Sequence, residues 1–194
     1  MIYIFLCFSF FLSISLREFI NKITFEKNSS LNDFIIRKAK ISDSKSIINL
    51  INELAEFEKE PNSVKLNQTD IENDGFGKSP KFSCFVAENK GAVIGMALYY
   101  PRYSTWDGPT LHLEDLIVSK SFRGKGAGKL LYSKFINEAK INGFNRIEWA
   151  VLNWNIDAIK FYETSGAKIL SDWRTVQMSK EMINKYILLN KKIN

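Results

Sequence analysis

"LHLEDLIVSKSFRGKGAG", residues 111–128, joins two patterns. Its first half alternates apolar and polar residues and then turns apolar, which reads as a strand. Its second half sets Gly124, Gly126 and Gly128 among Arg123, Lys125 and Lys129. Beyond it Leu131, Phe135, Ile136 and Ala139 recur at helical spacing. A strand, a glycine-rich turn and a helix in this order form a grip for a phosphate. Glycines accept positive φ and let backbone approach a ligand. The first N–H groups of a helix lack partners inside it and can face an anion. A Walker A loop fails here, because Arg123 stands where its first glycine belongs and Leu130 where its Ser or Thr belongs. A dinucleotide fingerprint fails from Gly124, which leads to Lys129, and from Gly126, which leads to Leu131.

Outward from this stretch the chain alternates elements in an α+β order. "FIIRKA" reads as a short strand, and "SDSKSIINLINELAEFEK" as a helix capped by Ser42 or Asp43. Residues 60–80 read as a loop with one short helix. Strands are expected at 81–88, 92–104, with a bulge near Gly95, and 110–119, joined by short turns as an antiparallel meander. Further strands are expected at 146–152 and 173–179. A helix starting near Asn155 stops at Gly166, a natural C-cap, and the tail "KEMINKYILLNKK" reads as helical.

The totals narrow the class. The chain has 194 residues, 45% hydrophobic and 25% charged, enough for one domain with a core. Its net charge of +6 comes from scattered cations with acids between them. That favours a local anion site over nucleic acid, for which no basic arm, zinc-finger spacing or RNA-binding aromatic signature is present. Cys7, Cys84 and the single His112 form no disulfide framework or metal pattern, which points to a reducing compartment. Residues 1–16 are almost wholly apolar, short for a span and without a basic start. Three readings stay open: a weak signal or anchor, an upstream extension of the reading frame, or a genuine extra element. Residues 1–30 are set aside as an extension, and 31–194 are taken as one domain.

The loop pattern that survives is [QR]-x-x-G-x-[GA], met by Arg123, Gly126 and Gly128. With it the chain resembles the GCN5-related N-acetyltransferases (GNAT). "LAEFEKE", "ENDGFG", "VLNWNIDAIKFYETSGA" and "DWR" occur in the order seen in the diamine acetyltransferase subgroup, which holds spermidine/spermine and thialysine-type enzymes. "YSTWDGP" is more similar to the thialysine-type branch; the spermidine branch tends to carry an acid where Ser104 stands. The resemblance implies an α+β GNAT fold with a mixed, mostly antiparallel sheet flanked by helices. It implies direct transfer from acetyl-CoA to a primary amine of a small diamine or thialysine-like amino acid, without a metal. It also implies a homodimer; a cytoplasmic setting is expected, unless residues 1–16 anchor or export the chain. Competing readings are another acceptor (a peptide or protein amine, an aminoglycoside) and a non-catalytic acyl-CoA-binding module.

Acetyl transfer to an amine requires loss of a proton, donors for the developing oxyanion, a proton for the thiolate and close placement of both substrates. Glu114 is the expected base, with a cation-pairing carboxylate as its competing reading. If side chains alternate, His112 shares its face and Asp115 points away. His112 lines the pocket or simply packs. The resemblance makes Tyr162 the acid, against a core role. It implies that the backbone of Leu116, Ile117 and Val118 receives the pantetheine arm, and that Arg123, Gly124, Lys125, Gly126, Ala127, Gly128 and Lys129 hold the pyrophosphate. Asn155, Ile156, Asp157 and Ala158 form a further cofactor segment, which Tyr162 joins. Around the amine it places Phe57, Glu58, Glu114, Glu148, Trp149, Ala150, Asp172 and Trp173.

Overall fold

The computed structural model describes residues 34–190. Residues 1–33, which include the apolar run 1–16 and the extension set aside as 1–30, and the last four residues lie outside the described residues. The chain divides into two compact units, one ending at Ala150 and one beginning at Val151.

The first unit is a five-stranded sheet in sequential order. Its strands are β1 (Ile35–Lys38), β2 (Ser83–Asn89), β3 (Ala92–Ser104), β4 (Gly108–Val118) and β5 (Arg146–Glu148). The first three pairings are antiparallel and β4–β5 is parallel, so the sheet is mixed. Helices α1 (Ser44–Phe57), α2 (Gln68–Phe76) and α3 (Ala127–Ile141) flank it. Strand alternation sorts the core. Cys84, Val86, Met96, Leu98 and Ile117 meet Ile47, Ile48 and Leu50 of α1 and Ile71 of α2. On the other face Tyr99 lies between Phe85 and Phe135 of α3, at centroid distances of 5.2 and 5.7 Å.

Local chemistry sets the helix ends. Asn67 Oδ1 accepts from Thr69 and Asp70 N–H, and Asp70 returns a bond to Asn67 N–H, which starts α2. Asp43 stands at the cap of α1, but its carboxylate does not cap the helix. It accepts from both Nη atoms of Arg37 at 2.7 and 3.0 Å and from Lys40 N–H. The Arg37 guanidinium, helped by the Lys40 backbone N–H, holds Asp43 below the usual carboxylate range, with its burial opposing them.

Two bulges shape the sheet. Between β2 and β3, Ala87 pairs with Gly95 and Glu88 with Val93, which leaves Ile94 unmatched, one residue before the expected position. A Cβ on Gly95 would stand 2.8 Å from Ile117 O, so only glycine fits that crossing. Between β3 and β4, Leu98 pairs with Asp115 and Tyr99 with Leu113, so Glu114 has no opposite residue.

The second unit carries α4 (Ile156–Thr164) and α5 (Lys180–Leu189). Gly166, at φ +93°, ends α4 in a Schellman arrangement: Gly166 N–H bonds Glu163 O and Ala167 N–H bonds Tyr162 O. The strand expected at 173–179 is absent; that segment is exposed and carries no ladder. Aromatic and β-branched residues favour a strand only where a pleated, half-buried surface receives them. The strand expected at 146–152 stops at Glu148.

Candidate functional site

The glycine loop has the form expected of an anion cradle. A 3-10 turn at Lys120–Phe122 leaves the end of β4, and Gly124 (φ +75°) and Gly126 (φ +94°) reverse the chain into α3. The first helical bond of α3 runs from Leu130 N–H to Gly126 O. The N–H groups of Ala127, Gly128 and Lys129 therefore lie outside the helical ladder, at the positive end of the helix. Space is open where Gly124 would carry a Cβ. These features fit a pyrophosphate.

The loop's arginine also serves as a tie. Arg123 Nε donates to Val118 O at 2.9 Å, its Nη2 lies 3.7 Å from Glu53, and its guanidinium sits 5.0 Å over the Phe57 ring. Glu53 accepts from Ser119 Oγ at 2.8 Å and from Lys120 N–H at 2.7 Å. One carboxylate of α1 thus fixes the turn between β4 and the loop. Lys125 donates to Ser121 O, and Lys129 is exposed.

Before the loop, the unmatched Glu114 rearranges the face of β4. Tyr100 and Leu98 are two residues apart on β3 and share a face. His112 pairs with Tyr100 and Asp115 with Leu98, so His112 and Asp115 share that face too. Glu114 joins them, because Tyr100 Oη donates to its Oε2 at 2.8 Å and His112 Nε2 stands 3.6 Å away. The expectation that Asp115 points away from Glu114 is corrected by the bulge, which breaks alternation there. Asp115 is half-buried, and burial, followed by the Glu114 and Glu58 charges, pushes its carboxyl up to about 7. Glu58, just past the end of α1, is also raised by burial. Burial and the bond to Glu114 push the Tyr100 phenol up to about 12.

The β4–β5 ladder ends at the His112–Glu148 pair. Leu116, Ile117 and Val118 lie beyond it, so their edge is not paired with β5. His112 Nδ1 lies 3.7 Å from Glu148 Oε1, and Arg102 Nη1 lies 2.5 Å from the same oxygen. Arg146 Nη2 donates to Glu148 Oε2 at 2.9 Å, and its Nη1 reaches Asp107. His112 Nδ1 and Glu148 Oε1 are buried without an aligned hydrogen bond. Trp149 meets Tyr132 edge-on at 5.6 Å, and Ala150 is exposed.

The remaining expected residues belong to the second unit. Asn155 caps α4, its Oδ1 accepting from Ala158 N–H at 3.3 Å; Ile156 and Asp157 open that helix. Tyr162 is buried, with its ring 5.4 Å from that of Phe161. Asp172 and Trp173 are exposed.

The geometry adds Glu53, Tyr100, Arg102 and Asp115 to the site. Their roles depend on register and on contacts distant in sequence. Only the adjacent acids "ED" at 114–115 signalled any of them. Among the described residues no group of three or more His, Cys, Asp or Glu is placed to hold a metal, and no helix is long and apolar enough to cross a membrane.

Comparison with known proteins places this geometry. The profile of the acetyltransferase (GNAT) family matches residues 46–167. The chain is 38% identical to the thialysine N-epsilon-acetyltransferase of Sus scrofa, over 71% of this chain and 86% of that protein. It is 32% identical to the spermidine/spermine N(1)-acetyltransferase-like protein 1 of Homo sapiens, over 80% of this chain and 24% of that protein. Among solved structures, an integron cassette protein of V. cholerae superposes with a TM-score of 0.65 at 21% identity, covering 79% of this chain and 97% of that one.

Proposed function

The chain belongs to the acetyltransferase (GNAT) family and is an N-acetyltransferase acting on an amine, and from that premise we propose that its acceptor is a small diamine or thialysine-like amino acid. One observation carries the reading. The bulge of β4 gathers Glu114 and Asp115 beside Glu58, immediately before the glycine loop. Carboxylates and aromatic faces suit an ammonium.

In this reading the loop N–H groups of Ala127, Gly128 and Lys129 hold the pyrophosphate, and the backbone edge of Leu116–Val118 takes the pantetheine arm. Bound acetyl-CoA supplies the activated acyl group. Glu114, steadied by Tyr100 Oη, accepts the ammonium proton directly or through a water. Asp115, near neutrality in its pKa, attracts the cation and takes part in the same proton exchange. Tyr162 gives a proton to the departing sulfur; its phenol and the family resemblance support that role. A homodimer and a reducing, cytoplasmic setting go with the reading. The family resemblance supports the first, and the buried, free Cys84 supports the second.

The test is an acceptor panel of thialysine, lysine, ornithine, putrescine, spermidine and a peptide with acetyl-CoA, followed by free thiol release. Small amines are expected to release thiol fastest. A protein that binds acetyl-CoA but releases thiol with none of them is a binding module, and the reading fails. Tyr162→Phe is expected to lower kcat about ten- to ten-thousandfold with acetyl-CoA binding intact; full turnover would remove Tyr162 from the mechanism.

A further inference from the structure

The acid-bearing face of β3 and β4 ends in a cation. Asp115 pairs with Leu98, His112 with Tyr100 and Thr110 with Arg102. Leu98, Tyr100 and Arg102 alternate onto one face, so Arg102 stands about 7 Å along the strand from Tyr100. Glu58, Glu114 and Asp115 gather at one end of this face, and a guanidinium stands at the other. A diamine has a cation at both ends, and its far ammonium would meet Arg102. An α-amino acid with a terminal amine places a carboxylate and an α-ammonium there.

We propose that the Arg102–Glu148 pair receives the zwitterionic head of an α-amino acid whose side-chain amine is acetylated, so that the site selects such amino acids over diamines of equal length. The proposal rests on the amine-acetyltransferase reading above and narrows its acceptor. Arg102 is more than half exposed, and Glu148 Oε1 is its recorded partner. That contact uses one Nη atom of an exposed guanidinium, whose other N–H donors can meet a carboxylate. The partly exposed Glu148 carboxylate beside it supplies the negative charge for the α-ammonium. Arg146 and Asp107 support Glu148 from behind and keep its second oxygen occupied. Further along β3, Ser104 is uncharged and spends its hydroxyl on the N–H groups of Trp106 and Asp107. It holds no second ammonium.

The test compares kcat/KM within pairs that differ by one carboxylate: lysine against cadaverine, and ornithine against putrescine. The wild-type protein is expected to favour the amino acid in each pair. Arg102→Gln is expected to lower the amino-acid to diamine ratio about ten- to hundredfold, the scale of a charged hydrogen bond, mostly through KM. Arg102→Lys keeps part of the preference. Acetyl-CoA binding by calorimetry reports whether each variant is folded; if the glutamine variant is not, the wild-type and lysine-variant ratios decide. A wild-type preference for the diamine, or a ratio unmoved in the variants, overturns the proposal while leaving amine acetylation standing. Acetylation of no amine overturns the acceptor reading, and this inference with it.

Discussion

The glycine loop after Val118 and the bulge before Leu116 are neighbours in sequence, yet different physics builds them. The loop is a local device. Two glycines at positive φ turn the chain, and the helix that follows presents free N–H groups whatever the rest of the sheet does. The bulge is a non-local device. Glu114 is unmatched only because β3 offers Tyr99 and Leu98 to Leu113 and Asp115. In the proposed reading the loop therefore grips a feature common to every donor of one type. The bulge gathers side chains from β3, β4 and the end of α1 on the face proposed for the acceptor. Glu53 and Arg123 tie the two, running from α1 to the turn between them.

Three substitutions strike one side of this contrast, and a fourth strikes the tie between the two. Glu114→Gln keeps an acceptor for Tyr100 but removes the base. Its kcat is expected to fall about a hundred- to ten-thousandfold, read by thiol release. A fall of less than tenfold would move the base elsewhere on the face. Gly126→Val strikes the loop, because a β-branched residue does not tolerate a φ of +94°. The strain of order 1–3 kcal/mol is expected to weaken acetyl-CoA binding about ten- to a hundredfold. Unchanged affinity in calorimetry would mean that the turn geometry is not what holds the pyrophosphate.

Glu53→Ala cuts the tie. It frees Ser119 Oγ and Lys120 N–H, and the KM for acetyl-CoA is expected to rise about tenfold with kcat less affected. Glu53→Gln, which keeps one acceptor, should fall between the two. Equal losses in kcat and binding would instead mark a general loss of structure. Asp115→Asn gives the smallest of the four effects on turnover, and its distinguishing signature is in stability. The Asp115 carboxyl is raised in the folded protein, so the native state holds its proton more tightly than the unfolded chain does. Its charge therefore costs stability as pH rises from about 4, the unfolded value, through about 7. The asparagine variant is expected to melt at least about 2 °C above the wild type near pH 8, with the gap closing near pH 4. A gap that widens toward acid pH would reverse the sign of the shift.

The same contrast governs what could be read from the sequence. The strands, the three flanking helices and the loop follow from hydrophobic period, caps and glycines, all local signals. Gly166 was legible as a C-cap, and Asn155 as the start of its helix, for the same reason. The side to which Asp115 points was not, because strand alternation predicts the opposite face and only the register with β3 reveals the extra residue. Arg123 reads as a phosphate ligand by its charge, but the bond of its Nε to Val118 O depends on the fold and was not legible. Arg102 carried no signal, since its place opposite Thr110 and beside Glu148 depends on two strand pairings. The segment 173–179 had strand composition but no surface to receive it.

The separation of grip from chemistry is tested most directly by acetyl-CoA binding to Glu114→Gln, measured by calorimetry beside its turnover. The account predicts an affinity within about twofold of wild type while turnover falls at least a hundredfold. Affinity that falls in step with turnover would contradict it, because the bulge would then be part of the grip.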